Sequence, residues 1–150
     1  DNTKKYFQGL KSSKKVTRET FMEKRIGRNK SNIGVLGEDI ALKWLISKGF
    51  SLVTQNFKTY HGEIDIVVEK CGETHFIEVK SINISRGTVG NIDPRDNFTP
   101  AKSEKMGKAI EYYLMKHPET NSFKTILLCI YIDQTAKQAK VRCLENPILN

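Results

Sequence analysis

Gly62-Glu63-Ile64-Asp65-Ile66-Val67-Val68-Glu69-Lys70-Cys71-Gly72-Glu73-Thr74-His75-Phe76-Ile77-Glu78-Val79-Lys80 is the stretch whose reading decides the fold. Glu63 to Glu69 alternates polar and apolar residues with the period of two that a strand requires, and Thr74 to Lys80 is equally rich in strand formers. Cys71-Gly72 between them predicts a two-residue hairpin loop, which pairs Lys70 with Glu73. Every facing pair then sums to 143, so Asp65 stands opposite Glu78 and Glu63 opposite Lys80. Directly opposed residues share a side of the sheet. The pattern therefore puts Glu63, Asp65 and Val67 with Phe76, Glu78 and Lys80 on one side. Ile64, Ile66 and Val68 with His75, Ile77 and Val79 form the other, the expected core face.

Two facing carboxylates repel, at a cost of about 0.2–1 kcal/mol. A divalent cation between Asp65 and Glu78 would remove the conflict, and Lys80 would reduce it. Mg²⁺ suits such a place, because it takes one or two carboxylates, keeps several waters and completes its shell with phosphate oxygens. Lys80 is then positioned to orient a water or offset charge on a phosphate. Glu38, from a helix, would reach a metal-bound water or a second ion. The alternative is a solvated hairpin face with Glu63–Lys80 as an ordinary ion pair, which contributes little. These residues define a metal-site hypothesis and name no reaction.

Working outward, Ser31 or Asn32 can cap a helix from Ile33 to about Lys48, with Gly49 just past its end. Ile33, Leu36, Ile40, Trp44 and Leu45 make its apolar stripe. Gly34 and Gly37 weaken its first turn, which makes sense where another backbone or a ligand approaches closely. Ser51 to Phe57 is a first strand. The eighteen residues Ser81 to Phe98 have no sustained period and read as one long loop, a frequent place for function. Thr99-Pro100 opens a second helix to about Lys116, stopped by Pro118. Met106, Ala109, Ile110, Tyr113 and Leu114 form its buried face. Thr125 to Ile132 is a continuous apolar run fit for a sheet centre covered on both faces, and Ala139 to Leu144 adds a last strand. The predicted class is α/β, a mixed central sheet flanked by helices in the order α-β-β-β-α-β-β.

The chain has 150 residues and a net charge of +8. Residues 1–30 hold ten Lys or Arg against three acids, whereas the other 120 carry fifteen basic and fourteen acidic side chains. The expected organisation is a basic arm over 1–30 and one domain over 31–150. Such an arm fits polyanion binding through counterion release, and equally a solubilising tail. No apolar run nears the roughly 18–20 residues that span a bilayer, and residues 1–30 lack a secretory apolar core. Three cysteines without Cys-x-x-Cys spacing argue against a disulfide framework and for a reducing interior. The expected location is the cytoplasm, with no membrane partner.

Gly34-x-x-Gly37-Glu38 on a helix, the Asn56-Phe57 strand end, Gly62-Glu63-Ile64-Asp65, Phe76-Ile77-Glu78-Val79-Lys80, and a Pro-initiated helix ending Tyr112-Tyr113-Leu114 together resemble the YraN family. That family is placed in the PD-(D/E)XK nuclease superfamily, related in fold to Holliday-junction resolvases and restriction enzymes. The likeness runs from about Ile33 to Leu144. It implies a restriction-endonuclease-like core and a Mg²⁺-dependent endonuclease, with Mn²⁺ able to substitute. The substrate would be DNA, branched or single-stranded; an RNA-directed nuclease and a non-cutting nucleic-acid binder are the alternatives. Position by position, it implies Asp65 and Glu78 as metal ligands and Glu38 as the helical acid. Lys80 completes the catalytic set and Glu63 supports it. Lys102, Lys105 and Arg86 are the implied nucleic-acid contacts. The likeness to resolvases, whose two sites cut symmetric strands, makes a homodimer an option. Where the family often has Arg soon after Glu-Val-Lys, this chain has Ser81-Ile82-Asn83.

Overall fold

The computed structural model describes residues 33–84, 96 and 98–146. The arm over 1–30, the Ser31/Asn32 cap and Arg86 lie outside them. The elements follow as α1 (Ile33–Ser47), β1 (Ser51–Lys58), β2 (Glu63–Lys70), β3 (Glu73–Asn83), α2 (Pro100–Lys116), β4 (Phe123–Asp133) and β5 (Gln138–Glu145). The order is the α-β-β-β-α-β-β read from the sequence. The five strands form one mixed sheet in the order β1-β2-β3-β4-β5. All neighbours are antiparallel except β3 and β4, which run parallel. A parallel pair needs a crossover, and α2 supplies it.

The hairpin has the register computed from its turn. Lys70 pairs with Glu73, Glu69 with Thr74, Val68 with His75, Val67 with Phe76 and Ile66 with Ile77. Cys71 and Gly72 have φ of 53° and 75°, the positive values that a two-residue type I′ turn demands. Gly49, at φ 90°, ends α1 as expected. Thr99 caps α2, its side-chain oxygen accepting from the Lys102 N–H at 3.3 Å.

Each helix covers one face of the sheet. Under α1, the side chains of Leu36, Ile40, Ala41 and Leu45 meet Ile66, Val68, Ile77, Val79 and the β4 residues Ile126, Leu128, Ile130 and Ile132. Under α2, the side chains of Met106, Ala109, Ile110 and Tyr113 meet Ile64, Val67 and Phe76. Strand β4 is buried on both sides, since Leu127 and Cys129 are inaccessible along with the residues facing α1. A run without alternation was the sign of that. Trp44 is only half-buried and packs at the margin of the α1 core.

Two expectations about the hairpin change. The side that Val67 and Phe76 share with the carboxylates is not the open one, since both residues are fully buried under α2. Ile64 also packs there with Val67, three residues along, rather than with Ile66 and Val68. Strict alternation is therefore broken between Ile64 and Val67. Asn56, which stands between the two β1 residues paired with Ile66 and Ile64, has φ 52°. Asn tolerates that left-handed conformation better than most residues. The irregularity lets Phe57 join Ile64 beneath α2, with its ring 5.2 Å from that of Tyr113. The expected loop also starts later than Ser81. Ser81-Ile82-Asn83 continue β3 in register with Ile130, Tyr131 and Ile132, because β4 is long enough to keep pairing with them.

Candidate active site

Asp65 lies where the β2–β3 ladder stops. The last paired residues are Ile66 and Ile77, and beyond them the Asp65 carboxylate takes over the role of a main-chain acceptor. Its Oδ2 accepts the Val79 N–H at 2.8 Å. Asp65 is therefore beside Glu78, as the register requires, but held by a side-chain bond rather than as a ladder pair. It is 7% exposed, a rare position for an acid without a cation partner.

Electrostatics identify the neighbours. Burial, then the adjacent Glu78 carboxylate, push the Asp65 carboxyl up to about 8, against the downward pull of the Val79 N–H; Glu38 adds to the rise. Glu38 is itself raised, first by burial and then by Glu63, Asp39 and Glu78. Thus Glu38, Glu63, Asp65 and Glu78, drawn from α1, β2 and β3, converge on one locality. Lys80 relieves part of that charge, with its Nζ 3.0 Å from Glu78 Oε1. The expected Glu63–Lys80 ion pair is replaced by this one, because Glu78 is the nearer acid once the strands stop pairing. Glu63 stays exposed at the start of β2.

The helix reaches this place because of a contact between Gly37 and Ser81. A Cβ on Gly37 would overlap Ser81 Oγ and lie 2.7 Å from Ser81 Cβ. Only a bare α-carbon lets α1 lie so close to β3, and the residue after it is Glu38. The sequence marked Gly37 as a place of close approach; Ser81, its partner, showed no signal of its own. The Val79 N–H was also missed, because a backbone donor leaves no trace in residue identity, and Asn56 was read only as a strand end.

Glu38, Asp65 and Glu78 are within electrostatic reach of one another. Among the described residues, however, no three His, Cys, Asp or Glu side chains close on a single point that could hold an ion. A buried carboxylate coupled to a second one fits a hard divalent cation, which favours oxygen donors and needs only one or two from protein. Asp65 and Glu78 suit direct ligation, with Glu38 acting through water. Lys102 and Lys105 are exposed on α2, whose backbone touches the loop before β2. A Cβ on Gly62 would lie 2.7 Å from the Lys105 carbonyl oxygen.

A pH dependence follows from the raised carboxyls. Between about pH 4 and 8 the folded chain holds a proton on Asp65 that the unfolded chain releases. Stability from this group is complete below pH 4 and is lost as pH rises through about 8. His75, whose pKa is lowered by burial, acts in the opposite sense, its contribution being lost as pH falls. Comparing wild type with Asp65→Asn isolates the carboxyl. Thermal midpoints in EDTA are expected to fall more steeply from pH 5 to 9 for wild type than for Asp65→Asn; parallel curves would contradict the assignment.

Among the described residues no helix is long and apolar enough to cross a membrane. Residues 37–130 match the family model described as "Uncharacterised protein family UPF0102". A UPF0102 protein of Campylobacter lari is 41% identical over 113 residues, covering 75% of this chain and 90% of the relative. One from Campylobacter jejuni subsp. doylei is 38% identical over 100 residues, covering 67% and 84%. A third, from Helicobacter hepaticus, is 38% identical over 95 residues, covering 63% and 80%. The matched span contains Glu38, Asp65, Glu78 and Lys80.

Proposed function

This chain belongs to UPF0102, the YraN family, and from that premise we propose that it is a metal-dependent endonuclease hydrolysing phosphodiester bonds of DNA. The observation that carries this reading is the meeting of Asp65 and Glu78 at the end of the hairpin ladder, with Glu38 brought alongside and Lys80 bound to Glu78. A fold gains nothing from burying an acid next to two others, so the arrangement points to a cation-dependent role.

Mg²⁺, or Mn²⁺ in its place, would be held by Asp65 and Glu78 and would supply a water of lowered pKa and charge neutralisation at the phosphate. The protein's own residues do the rest. The Val79 N–H holds one oxygen of Asp65 and fixes the carboxylate plane. Glu38 offers an acceptor for a water, its raised pKa making it a better base than a free carboxylate. Lys80, tethered by Glu78, brings a positive charge to the place where negative charge grows on a phosphate oxygen. Glu63 supports the cluster from its rim, and Lys102 and Lys105 offer phosphate contacts on α2.

Calorimetric titration with Mg²⁺ and Mn²⁺, with a DNA oligonucleotide present, tests this. Wild type is expected to bind the ion, and Asp65→Asn to bind at least about tenfold more weakly, as loss of a hard ligand demands. No binding by wild type would overturn the metal-dependent reading. One observation favours a second reading, a nucleic-acid binder that does not cut: no three acidic side chains among the described residues are preassembled around a point. DNA binding that persists in EDTA, falls on removal of residues 1–30 and yields no products with Mg²⁺ or Mn²⁺ would establish it.

A further inference from the structure

Tyr60 is 98% exposed, and nothing in folding explains it. A surface aromatic gains no burial energy, yet this one is displayed on a turn built to hold still. The Thr59 N–H donates to the Gly62 carbonyl at 2.8 Å and the Thr59 hydroxyl to the same oxygen at 2.9 Å. The N–H groups of His61 and Gly62 donate back to the Thr59 hydroxyl at 3.2 and 3.1 Å. The His61 ring stands edge-on to the Tyr60 ring, their centroids 5.2 Å apart. On its other side the turn is pressed against α2, where a Cβ on Gly62 would meet the Lys105 carbonyl.

We infer that Tyr60 is a stacking platform for an unpaired nucleobase of a single-stranded stretch of the substrate, and so determines specificity for such strands. This rests on the nuclease reading above. The turn leads directly into β2, so Tyr60 lies five residues before Asp65, no more than about 18 Å along the chain. A base on Tyr60 therefore belongs to a nucleotide near the phosphate that reaches the carboxylates. Exposed lysines lie close by, Lys58 two residues before Tyr60 and Lys105 on α2 against Gly62, and Lys102 is exposed one turn earlier on the same helix. They supply the positive charge that the backbone of that strand requires. The occupant is an unpaired base rather than a duplex, because a tyrosine ring can cover only a base face that no neighbouring base covers. Tyrosine is well suited to stacking, since it brings a wide flat surface with few rotatable bonds, and a preformed turn leaves little to order on binding.

Binding of a single-stranded DNA oligonucleotide carrying 5-iodo-2′-deoxyuridine tests this in the Asp65→Asn background, where cleavage is removed and Mg²⁺ can be kept. Tyr60→Ala is expected to weaken binding about 5- to 150-fold, the effect of losing one base–aromatic stack, and Tyr60→Phe to restore it. The slope of affinity against salt stays the same in Tyr60→Ala, since no phosphate contact is lost. Lys102→Gln and Lys105→Gln lower that slope by about 0.7 each. Photocrosslinking maps to Tyr60, and a blunt duplex of the same sequence shows no effect of Tyr60→Ala. Because Tyr60 is almost wholly in water, the variants keep their circular dichroism spectra. Equal affinity of Tyr60→Ala and its parent, without a crosslink at Tyr60, overturns this inference and leaves the nuclease reading standing. Failure of wild type as well as this parent to bind any oligonucleotide in Mg²⁺ overturns both.

Discussion

Asp65→Ala and Glu78→Ala are each expected to reduce phosphodiester cleavage to the level of buffer alone. Both side chains share one buried locality and one charge problem, so losing either removes the oxygen pair that a hard cation needs. The same substitutions are expected to leave the uncomplexed fold as stable as wild type or more stable at pH 8. The reason is that Asp65 is an acid held against burial and against Glu78, its carboxyl pushed up to about 8. Asp65→Asn keeps an oxygen acceptor for the Val79 N–H while removing the charge, so it raises the melting temperature in EDTA. Glu63→Gln, at the rim, is expected to cost about 10- to 100-fold, in the range of a supporting residue. Cleavage of radiolabelled single-stranded, branched and duplex DNA measures the first effect and differential scanning calorimetry the second. Wild-type cleavage rates in both alanine variants would remove Asp65 and Glu78 from the site and point to a contaminating nuclease.

The second large effect is expected from Gly37→Ala. Alanine is ordinarily the better helix former by about 1 kcal/mol, but here its methyl group would overlap the Ser81 side chain. Overpacking of that kind costs about 1–3 kcal/mol. Relief by moving α1 away from β3 carries Glu38 with it, and a displacement of about 1 Å at a reacting site lowers rate about 100-fold. Gly37→Ala is thus expected to lose stability against the helix-propensity trend and to lose activity without touching a carboxylate. Ser81 supplies the control. Ser81→Gly in the same chain removes the overlapping atoms and leaves the Ser81 Cα 3.8 Å from the new methyl, an ordinary contact. The double variant therefore recovers stability and rate, whereas Ser81→Ala keeps the Cβ at 2.7 Å and does not. Urea denaturation of the four proteins of the cycle gives the coupling directly. Additive effects of the two substitutions would show that α1 is not held off β3 at this point.

These two experiments bear on opposite ends of what residue order can reveal. Lys70-Cys71-Gly72-Glu73 announces its turn because the conformations open to Cys-Gly between two strands are few, and the turn sets the register of every pair up to Ile66–Ile77. Thr99-Pro100 announces a helix start for a similarly local reason. Thr125 to Ile132 reads as a strand buried on both faces because it lacks alternation. Asp65, Glu78, Lys80 and Glu38 were legible as candidates through that register and through the family pattern. By contrast, a regular period of two predicted that Ile64 would share a side with Ile66, whereas Ile64 packs with Val67 under α2, paired with Phe57 just beyond the positive-φ Asn56.

The sequence by itself therefore determined the elements, their order, the hairpin register and the juxtaposition of Asp65 with Glu78. Each depends on backbone chemistry within a few residues or on the fixed geometry of a two-residue turn. Tertiary structure decided where the ladder stops, so that Asp65 binds the Val79 N–H and becomes buried. It decided that Lys80 pairs with Glu78 instead of Glu63, that α2 roofs Val67 and Phe76, and that Gly37 against Ser81 brings Glu38 into range. These outcomes rest on which face each helix covers and how closely it approaches. Such distances arise from packing between segments far apart in the chain, and no local window of residues contains them.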